Sequence, residues 1–381
     1  MPPPDQRSRI LRRLYMLYSD VTWSIPSDFL SRDHFRRVVL NLDYTSSPGY
    51  PYMRSYPTNR DMLKPDEDGN PDPIREELLW QMVQTRLQEG DMDPIRLFIK
   101  PEPHKLKKLE GHRYRLISSV SVVDQVVHAM LFGVLNDKMS DNWPYIPNKS
   151  GWSPHYGGYR NIPLTGWMAT DKSGWDWSAQ PWTFEMVFTL RKMLCQNLEE
   201  HPLWEKLAAR AYQQLYTDPV FINTYGHLLQ QKKPGVQKSG CFNTLADNCI
   251  QQVIIHYRVC DDLGLAPGQM MCMGDDVYQQ TPPDKDRYLE KLGEYCRLKE
   301  AAEVPEFAGY RFGHRRIEPL YKGKHAFVLL HLNEQLAQDT LDSYSLMYHE
   351  SRDRDFVRAL IRIMGYETRP LEWADEIFHG H

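Results

Sequence analysis

Asp275 and Asp276 stand side by side behind a glycine, in Met270-Met271-Cys272-Met273-Gly274-Asp275-Asp276-Val277-Tyr278. The flanking runs are short and apolar, able to pair as strands, and Gly-Asp favours a tight reversal between them. The pattern predicts a hairpin with two carboxylates at its tip. Acids held this close repel unless a cation joins them, which points to a Mg²⁺ or Mn²⁺ site. An isolated pair of this kind is more often a solvated loop, which is how Asp261-Asp262 reads. The rest of the chain has to decide between the two.

With 381 residues there is room for two or three subdomains around a substantial core. A formal net charge of -4 argues against a uniformly basic nucleic-acid coat but leaves room for a local basic channel. Cys195, Cys241, Cys249, Cys260, Cys272 and Cys296 form no CxxC pair and no Cys/His metal spacing, so they read as reduced thiols of a cytosolic protein. Met1-Pro2-Pro3-Pro4-Asp5 does not read as a signal peptide, and no apolar run has the length of a membrane span.

Residues 1–40 carry apolar positions at helical spacing. Residues 43–73 are an irregular stretch rich in Pro, Gly and Tyr, and its Tyr residues favour an ordered, packed loop. Helices are predicted over 74–89, 120–135, 181–198, 203–216, 239–263 and 285–298, and the end, 339–378, reads as largely helical. Strands are predicted at 96–100, before Asp171, at 220–223 with 228–230, at 307–312 and at 325–330. The Trp- and Pro-rich stretch 141–163 reads as a second ordered loop.

Three further groups could complete the acidic pair. In Ala169-Thr170-Asp171-Lys172-Ser173-Gly174-Trp175-Asp176-Trp177-Ser178, two acids lie five apart at a predicted strand end. Asp171 can add a third hard oxygen ligand to Asp275 and Asp276, as two-metal chemistry needs, while Asp176 points elsewhere. Residues 234–248 place a glycine-rich loop before a helix on which Thr244 and Asn248 share a face, an arrangement suited to a sugar-phosphate. Residues 96–115 hold seven Lys/Arg against two Glu, and Arg113 and Arg115 alternate so that on a strand both face one way, as a triphosphate site requires.

In this order (basic segment, Asp-x4-Asp, Ser-Gly…Thr…Asn, Gly-Asp-Asp) the chain resembles the viral RNA-dependent RNA polymerases, in phrasing most like the sobemovirus and polerovirus type of positive-strand RNA viruses. The resemblance is carried by Lys100-Pro101-Glu102-Pro103-His104-Lys105, Arg113-Tyr114-Arg115-Leu116-Ile117-Ser118-Ser119, Asp171 to Ser178, Gly235-Val236-Gln237-Lys238-Ser239-Gly240 and Gly274-Asp275-Asp276. Thr45-Ser46-Ser47-Pro48-Gly49-Tyr50-Pro51 also resembles the family's template-guiding loop, and the match spans about residues 43–313.

The resemblance implies an α+β fold, a closed right hand of fingers, palm and thumb with an antiparallel-sheet palm. It divides the chain into an N-terminal region and fingers at 1–162, palm at 163–199, a fingers insertion at 200–234, palm again at 235–320 and a small thumb at 321–381. It implies RNA-templated RNA synthesis from NTPs with release of pyrophosphate, served by two Mg²⁺ ions (or Mn²⁺) on Asp171, Asp275 and Asp276. Lys100, Arg113, Arg115, Asp176, Ser239, Thr244 and Asn248 would bind the nucleotide, the last four at the ribose 2′-hydroxyl that separates RNA from DNA. Lys107 and Lys108 would assist. Ser47, Pro48, Gly49 and Gly240 would guide the template. Lys299 would protonate the leaving pyrophosphate, with Arg297 as the alternative, and 307–312 resembles a primer-grip hairpin. The implied partners are template and nascent RNA and NTPs. A protein primer and other viral replication proteins are further candidates, and a membrane-associated replication complex in the host cytoplasm would be reached through partners.

Two alternatives remain open at this point. Reverse transcriptases usually carry a bulky apolar residue where Asp176 stands, and favour Tyr-x-Asp-Asp over Met273-Gly274-Asp275-Asp276. A catalytically inactive polymerase-like RNA-binding protein would not need all three metal-site acids. Two departures from the family pattern stand out: Gln279 where relatives often place an acid, and a segment after Phe312 that is short for a thumb.

Overall fold

The computed structural model describes residues 1–104 and 106–380; Lys105, part of the basic cluster, lies outside them. The strands run in chain order as β1 (Ile95–Ile99), β2 (Leu116–Ser119), β3 (Trp167–Lys172), β4 (Val220–Ile222), β5 (Leu228–Gln230), β6 (Met270–Met273), β7 (Asp276–Gln280), β8 (Leu298–Ala302), β9 (Glu306–Phe307), β10 (Tyr310–Phe312) and β11 (Ile317–Pro319). They form three sheets, ordered β2-β1-β4-β5, β6-β7-β3-β8 and β11-β10-β9. The second is antiparallel throughout and carries Asp171, Asp276 and the turn that holds Asp275.

Two long helices explain why one large core dominates. Val122–Asp141 begins at Ser121, whose hydroxyl accepts from the Asp124 N–H, and is buried nearly all round. It packs against Arg32–Leu40, Pro73–Glu89 and Pro202–Tyr216. Thr244–Leu263 is likewise buried on most of its circumference, against Pro4–Leu17, Pro181–Met193, Lys285–Leu292 and β6. Trp204 shows the quality of this core. Its side chain is fully buried edge-on to Trp23 at 5.2 Å, with its indole N–H donating to Leu131 O at 2.9 Å. A second cluster, with Trp152, Tyr278, Phe307, Phe312 and Phe378, glues the third sheet to the central one. The Trp-rich stretch therefore packs. Tyr44, Tyr52 and Tyr56 of the 43–73 loop pack likewise, against the main core.

Several predicted elements shift. The helix expected from Ser239 starts at Thr244, because residues before it form a tight turn held by Lys238 and Cys241 carbonyls. The helix expected over 285–298 ends at Leu292, and Leu298 opens β8 instead. The run 325–330, expected as a strand, lies in the helix Lys322–Leu330; short apolar runs do not distinguish the two states. Arg113 and Arg115 precede β2 rather than lying on it, since the helix Leu106–Glu110 interrupts the expected hairpin. Asp261-Asp262 is not a solvated loop. It ends the helix Thr244–Leu263, where Asp261 takes Arg9 at 2.8 Å and Asp262 takes Gln6 at 2.7 Å and Arg258 at 3.1 Å.

Candidate active site

On β3 burial alternates, with Met168, Thr170 and Lys172 buried and Asp171 exposed. The β3–β7 register pairs Thr170 with Val277, so its continuation sets Asp171 opposite Asp276 on the same face. Met273 pairs with Asp276 across a two-residue turn, Gly274-Asp275. Gly274 has φ 67°, a value a side chain tolerates poorly, and this is what lets the strand reverse fast enough to leave Asp275 at the tip. Three carboxylates thus meet at one end of the central sheet, in a cleft of about 770 Å³ that also holds Lys299, Glu306, Tyr321 and His325.

Lys299 reaches Asp171 because of a bulge. Asp171 pairs with Glu300 and Lys172 with Leu298, so Lys299 is the extra residue of β8, and its ammonium forms an ion pair with Asp171. A bulge re-aims one side chain without moving the sheet. Arg297, the alternative to Lys299, uses its carbonyl to accept from Ser173 N at 2.8 Å and lies outside the cleft lining.

Asp276 is half structural: its Oδ2 accepts from Ala308 N at 2.7 Å, which docks the β9–β10 turn onto the site. Burial, then the charge of Asp275, pushes the Asp276 carboxyl up to about 6. Asp176 is also raised to about 6, by burial and then by Asp275. At these two carboxyls the folded chain therefore holds more protons than the unfolded chain between 3.8 and about 6. Their contribution to stability falls as pH rises through that window. Asp276→Asn is expected to flatten this slope and to melt higher than the wild type at pH 7, in thermal scans between pH 4 and 7. Equal slopes in the two proteins would refute the assignment.

Asp176 sits in the helical turn Trp175–Ser178, hydrogen-bonded by the Asn248 side chain. The Trp175 indole N–H donates to Asn248 Oδ1 at 2.8 Å, which turns the amide N–H₂ toward Asp176. Trp175 thus positions the Asn248 amide, a part that neither spacing nor composition singles out. The loop 234–240 is built around a second such residue. Fully buried Lys238 donates to Gln231 Oε1, Gly235 O and Val236 O at 2.8–3.0 Å, and burial lowers its ammonium to about 7. Ser239 Oγ accepts from Ser118 N at 3.1 Å. Thr244 spends its hydroxyl on Lys238 O and Cys241 O, both at 2.8 Å, so its contribution to the site is the loop's shape.

Cys249 lies under the acidic turn. Its thiol donates to Cys272 O and accepts from Gly274 N, each at 3.2 Å, holding the end of β6 where it enters the reversal. A side-chain hydrogen bond is worth about 1 kcal/mol net, roughly fivefold in rate, so the two together reach about tenfold or more if they are needed only to hold catalytic geometry. Cys249→Ala is expected to lower turnover about tenfold at unchanged nucleotide KM, and Cys249→Ser to restore most of it. A serine variant as slow as the alanine variant would remove the thiol from the account.

The basic residues gather around Glu102, which pairs with Arg115 at 3.2 Å and Lys100 at 3.4 Å. These charges, joined by Lys324 from the helix Lys322–Leu330, hold its carboxyl below the usual range against the opposing effect of burial. Arg113, Lys107 and Lys108 are exposed on the segment between β1 and β2. Ser47 and Gly240 line a second cleft of about 900 Å³ with Phe98, Ile117 and Phe242. Pro48 and Gly49 are buried beneath it. Pro48 O accepts from Val122 N at 2.8 Å, and a Cβ on Gly49 (φ 69°) would lie 2.8 Å from Ser121 Cα. A Cβ on Gly240 would lie 2.6 Å from Ser118 O. Both glycines are therefore required by close backbone approach.

A family model described as viral RNA-dependent RNA polymerase matches residues 32–299. The chain is 28% identical over 410 residues to Protein P1-P2 of Potato leafroll virus, covering 94% of this chain and 37% of that protein. It is 29% identical to the RNA-directed RNA polymerase of Mushroom bacilliform virus, covering 72% of this chain and 70% of that protein. To Replicase polyprotein P2AB of Southern cowpea mosaic virus it is 30% identical, covering 74% and 30%. This chain thus spans little more than a third of the first of these proteins and less of the last. Among solved structures, a Sicinivirus 3Dpol RNA-dependent RNA polymerase superposes with a TM-score of 0.74 at 17% identity, covering 100% of this chain and 86% of that one. At that identity the likeness establishes the fold, a right-hand polymerase architecture.

Proposed function

The chain belongs to the viral RNA-dependent RNA polymerase family, and from that premise we propose that it copies an RNA template by nucleotidyl transfer from NTPs, releasing pyrophosphate. The observation that carries this reading is the meeting of Asp171, Asp275 and Asp276 on one sheet end, beside a hydrogen-bonded Asp176–Asn248 pair. We assign the central sheet to the palm, residues 1–162 and 200–234 to the fingers, and 321–381 to a small thumb.

The donor set fits divalent cations: three hard carboxylates, two of them exposed, where burial and then the charge of Asp275 raise Asp276 and where Lys299 already pairs with Asp171. Held by Asp171 and Asp275 with Asp276 assisting, two Mg²⁺ ions would supply activation of the attacking 3′-hydroxyl and charge neutralisation at the leaving phosphates. The protein's own part is positioning. Lys100 and Arg115, now shared by one carboxylate, would transfer to a triphosphate, which offers more negative charge and more acceptors than Glu102. Lys299 is held protonated by Asp171, which raises its ammonium. It can give a proton to the leaving group once Asp171 is otherwise engaged.

Asp176 and Asn248 would accept from and donate to the 2′-hydroxyl. Hydrogen bonds involving a charged partner contribute about 1.5–3 kcal/mol. Asn248→Ala is therefore expected to reduce the preference for ribo- over deoxynucleotides by about tenfold or more, with a smaller change in NTP turnover. The test is paired single-nucleotide extension with an NTP and its dNTP. An unchanged ratio would remove Asn248 from sugar selection. For the function itself, the deciding assay is extension on a defined RNA template in Mg²⁺ or Mn²⁺, with and without primer. We further propose that such synthesis takes place in the host cytoplasm, on membranes reached through partner proteins.

A further inference from the structure

Away from the catalytic cleft, four side chains from two distant segments converge at the C-terminal end of the chain. His349 and Glu350 follow the helix Ala337–Met347, and Asp375 and His379 lie on Leu371–His379. Being four apart, Asp375 and His379 share one helical face. One ligand atom from each of the four lies within 4.8 Å of every other. His349 Nε2 is 2.7 Å from Asp375 Oδ1 and 3.9 Å from Glu350 Oε1, and His379 Nε2 is 3.3 Å from Glu350 Oε1. Tetrahedral zinc with bonds of about 2.0–2.2 Å separates its ligands by about 3.3–3.5 Å, and the observed spacings bracket that value.

Two features distinguish this group from an ordinary surface ion pair. First, the His379 ring is oriented from behind: its Nδ1 lies 3.0 Å from the Tyr159 hydroxyl, leaving Nε2 to face the cluster. A metal-ligating imidazole is usually fixed in this way through its other nitrogen. Second, His349 is only 1% exposed, and its buried Nε2 is aimed into the cluster, 2.7 Å from Asp375 Oδ1 and 3.9 Å from Glu350 Oε1, while its Nδ1 has no hydrogen-bond partner. Neutral histidines would leave two carboxylates crowded without a counter-charge; a divalent ion supplies it.

We propose that His349, Glu350, Asp375 and His379 form a structural zinc site. It would tie the helix Leu371–His379 to the end of Ala337–Met347. Through Tyr159 it would also reach the turn Gly158–Asn161. The location suits a staple. The local core is small: among the described residues its buried apolar side chains are Leu341, Tyr348, Val357 and Ile361. Glu350 O also accepts from Ile317 N at 3.2 Å, so the site backs onto the sheet whose Ala308 holds Asp276.

The test uses the full chain, stripped with a chelator, dialysed against Mg²⁺ to occupy hard-oxygen sites, and titrated with Zn²⁺ and separately with Co²⁺. Wild type is expected to retain about one equivalent of zinc, to melt higher with it, and to give the intense visible bands of four-coordinate Co²⁺. Asp375→Asn and His379→Gln, both at less buried positions than His349, should fold yet lose zinc affinity at least tenfold. Tyr159→Phe should lose about tenfold as a positioning residue. The proposal is overturned if wild type retains no zinc. It is equally overturned if the variants keep the same stoichiometry and Co²⁺ spectrum, or if stability responds only to pH through the histidine range and not to zinc. In those cases the four residues are plain ion pairs.

Discussion

Asp275→Ala is expected to reduce RNA extension about 10³-fold or more while RNA affinity and melting temperature hold. Charge stabilisation at a metal-assisted transition state amounts to several kcal/mol, and each 1.36 kcal/mol is tenfold in rate. The structure explains why the rest of the molecule should not notice. Asp275 is exposed at the turn tip, and among the described residues no hydrogen bond or ion pair engages its carboxylate. Its neighbours gain from its removal, because its charge adds to the burial that raises both Asp176 and Asp276. The melting temperature at pH 7 should therefore stay level or rise. Gly274 keeps the reversal, and Cys249 keeps its grip on the turn. Extension at the wild-type rate would sink the assignment of the site. Loss of RNA binding together with folding would instead make Asp275 a structural residue.

The sequence made the acids legible because their spacing encodes topology. An apolar run, a glycine and two carboxylates can hardly be anything but a hairpin tip once a third acid ends another strand. Asp176 and Asn248 were legible for a similar reason, since one follows a Ser-Gly turn and the other lies one helical turn beyond Thr244. Lys299 was read at a helix end and is found on a strand, at a bulge. A one-residue slip between β3 and β8 leaves no trace in composition or periodicity. Trp175, Lys238 and Cys249 were invisible as functional residues because each works through a backbone group or an amide brought near by tertiary packing. Arg113 and Arg115 read as alternating on a strand because the Leu106–Glu110 helix is a single short turn with no apolar periodicity to announce it.

Removing one partner of the Arg191–Asp247 pair is expected to cost about 3–5 kcal/mol of stability, the largest effect of any single substitution far from the cleft. Both side chains are fully buried, with Arg191 Nη2 2.8 Å from Asp247 Oδ1. Tyr212 donates its hydroxyl to both carboxylate oxygens at 3.0–3.1 Å, and Arg191 also donates to Asn136 Oδ1 at 2.9 Å. Asp247→Ala would strand a guanidinium that has no route to water, and Arg191→Ala would strand the carboxylate. The pair itself is a different matter. Two ions taken out of water return little net energy, so Arg191→Met with Asp247→Leu should recover most of the loss. Denaturant midpoints at constant m-value measure all three variants. A single variant costing under about 1 kcal/mol would contradict the buried geometry. The double variant also separates stability from chemistry. Asp247 precedes Asn248 in the first turn of its helix, yet Asn248 is oriented by Trp175 and not by Asp247. Sugar selection by the double variant should therefore match wild type under conditions where it is folded. A relaxed ribose preference there would mean that the buried charges, and not the indole, set the angle of the selecting amide.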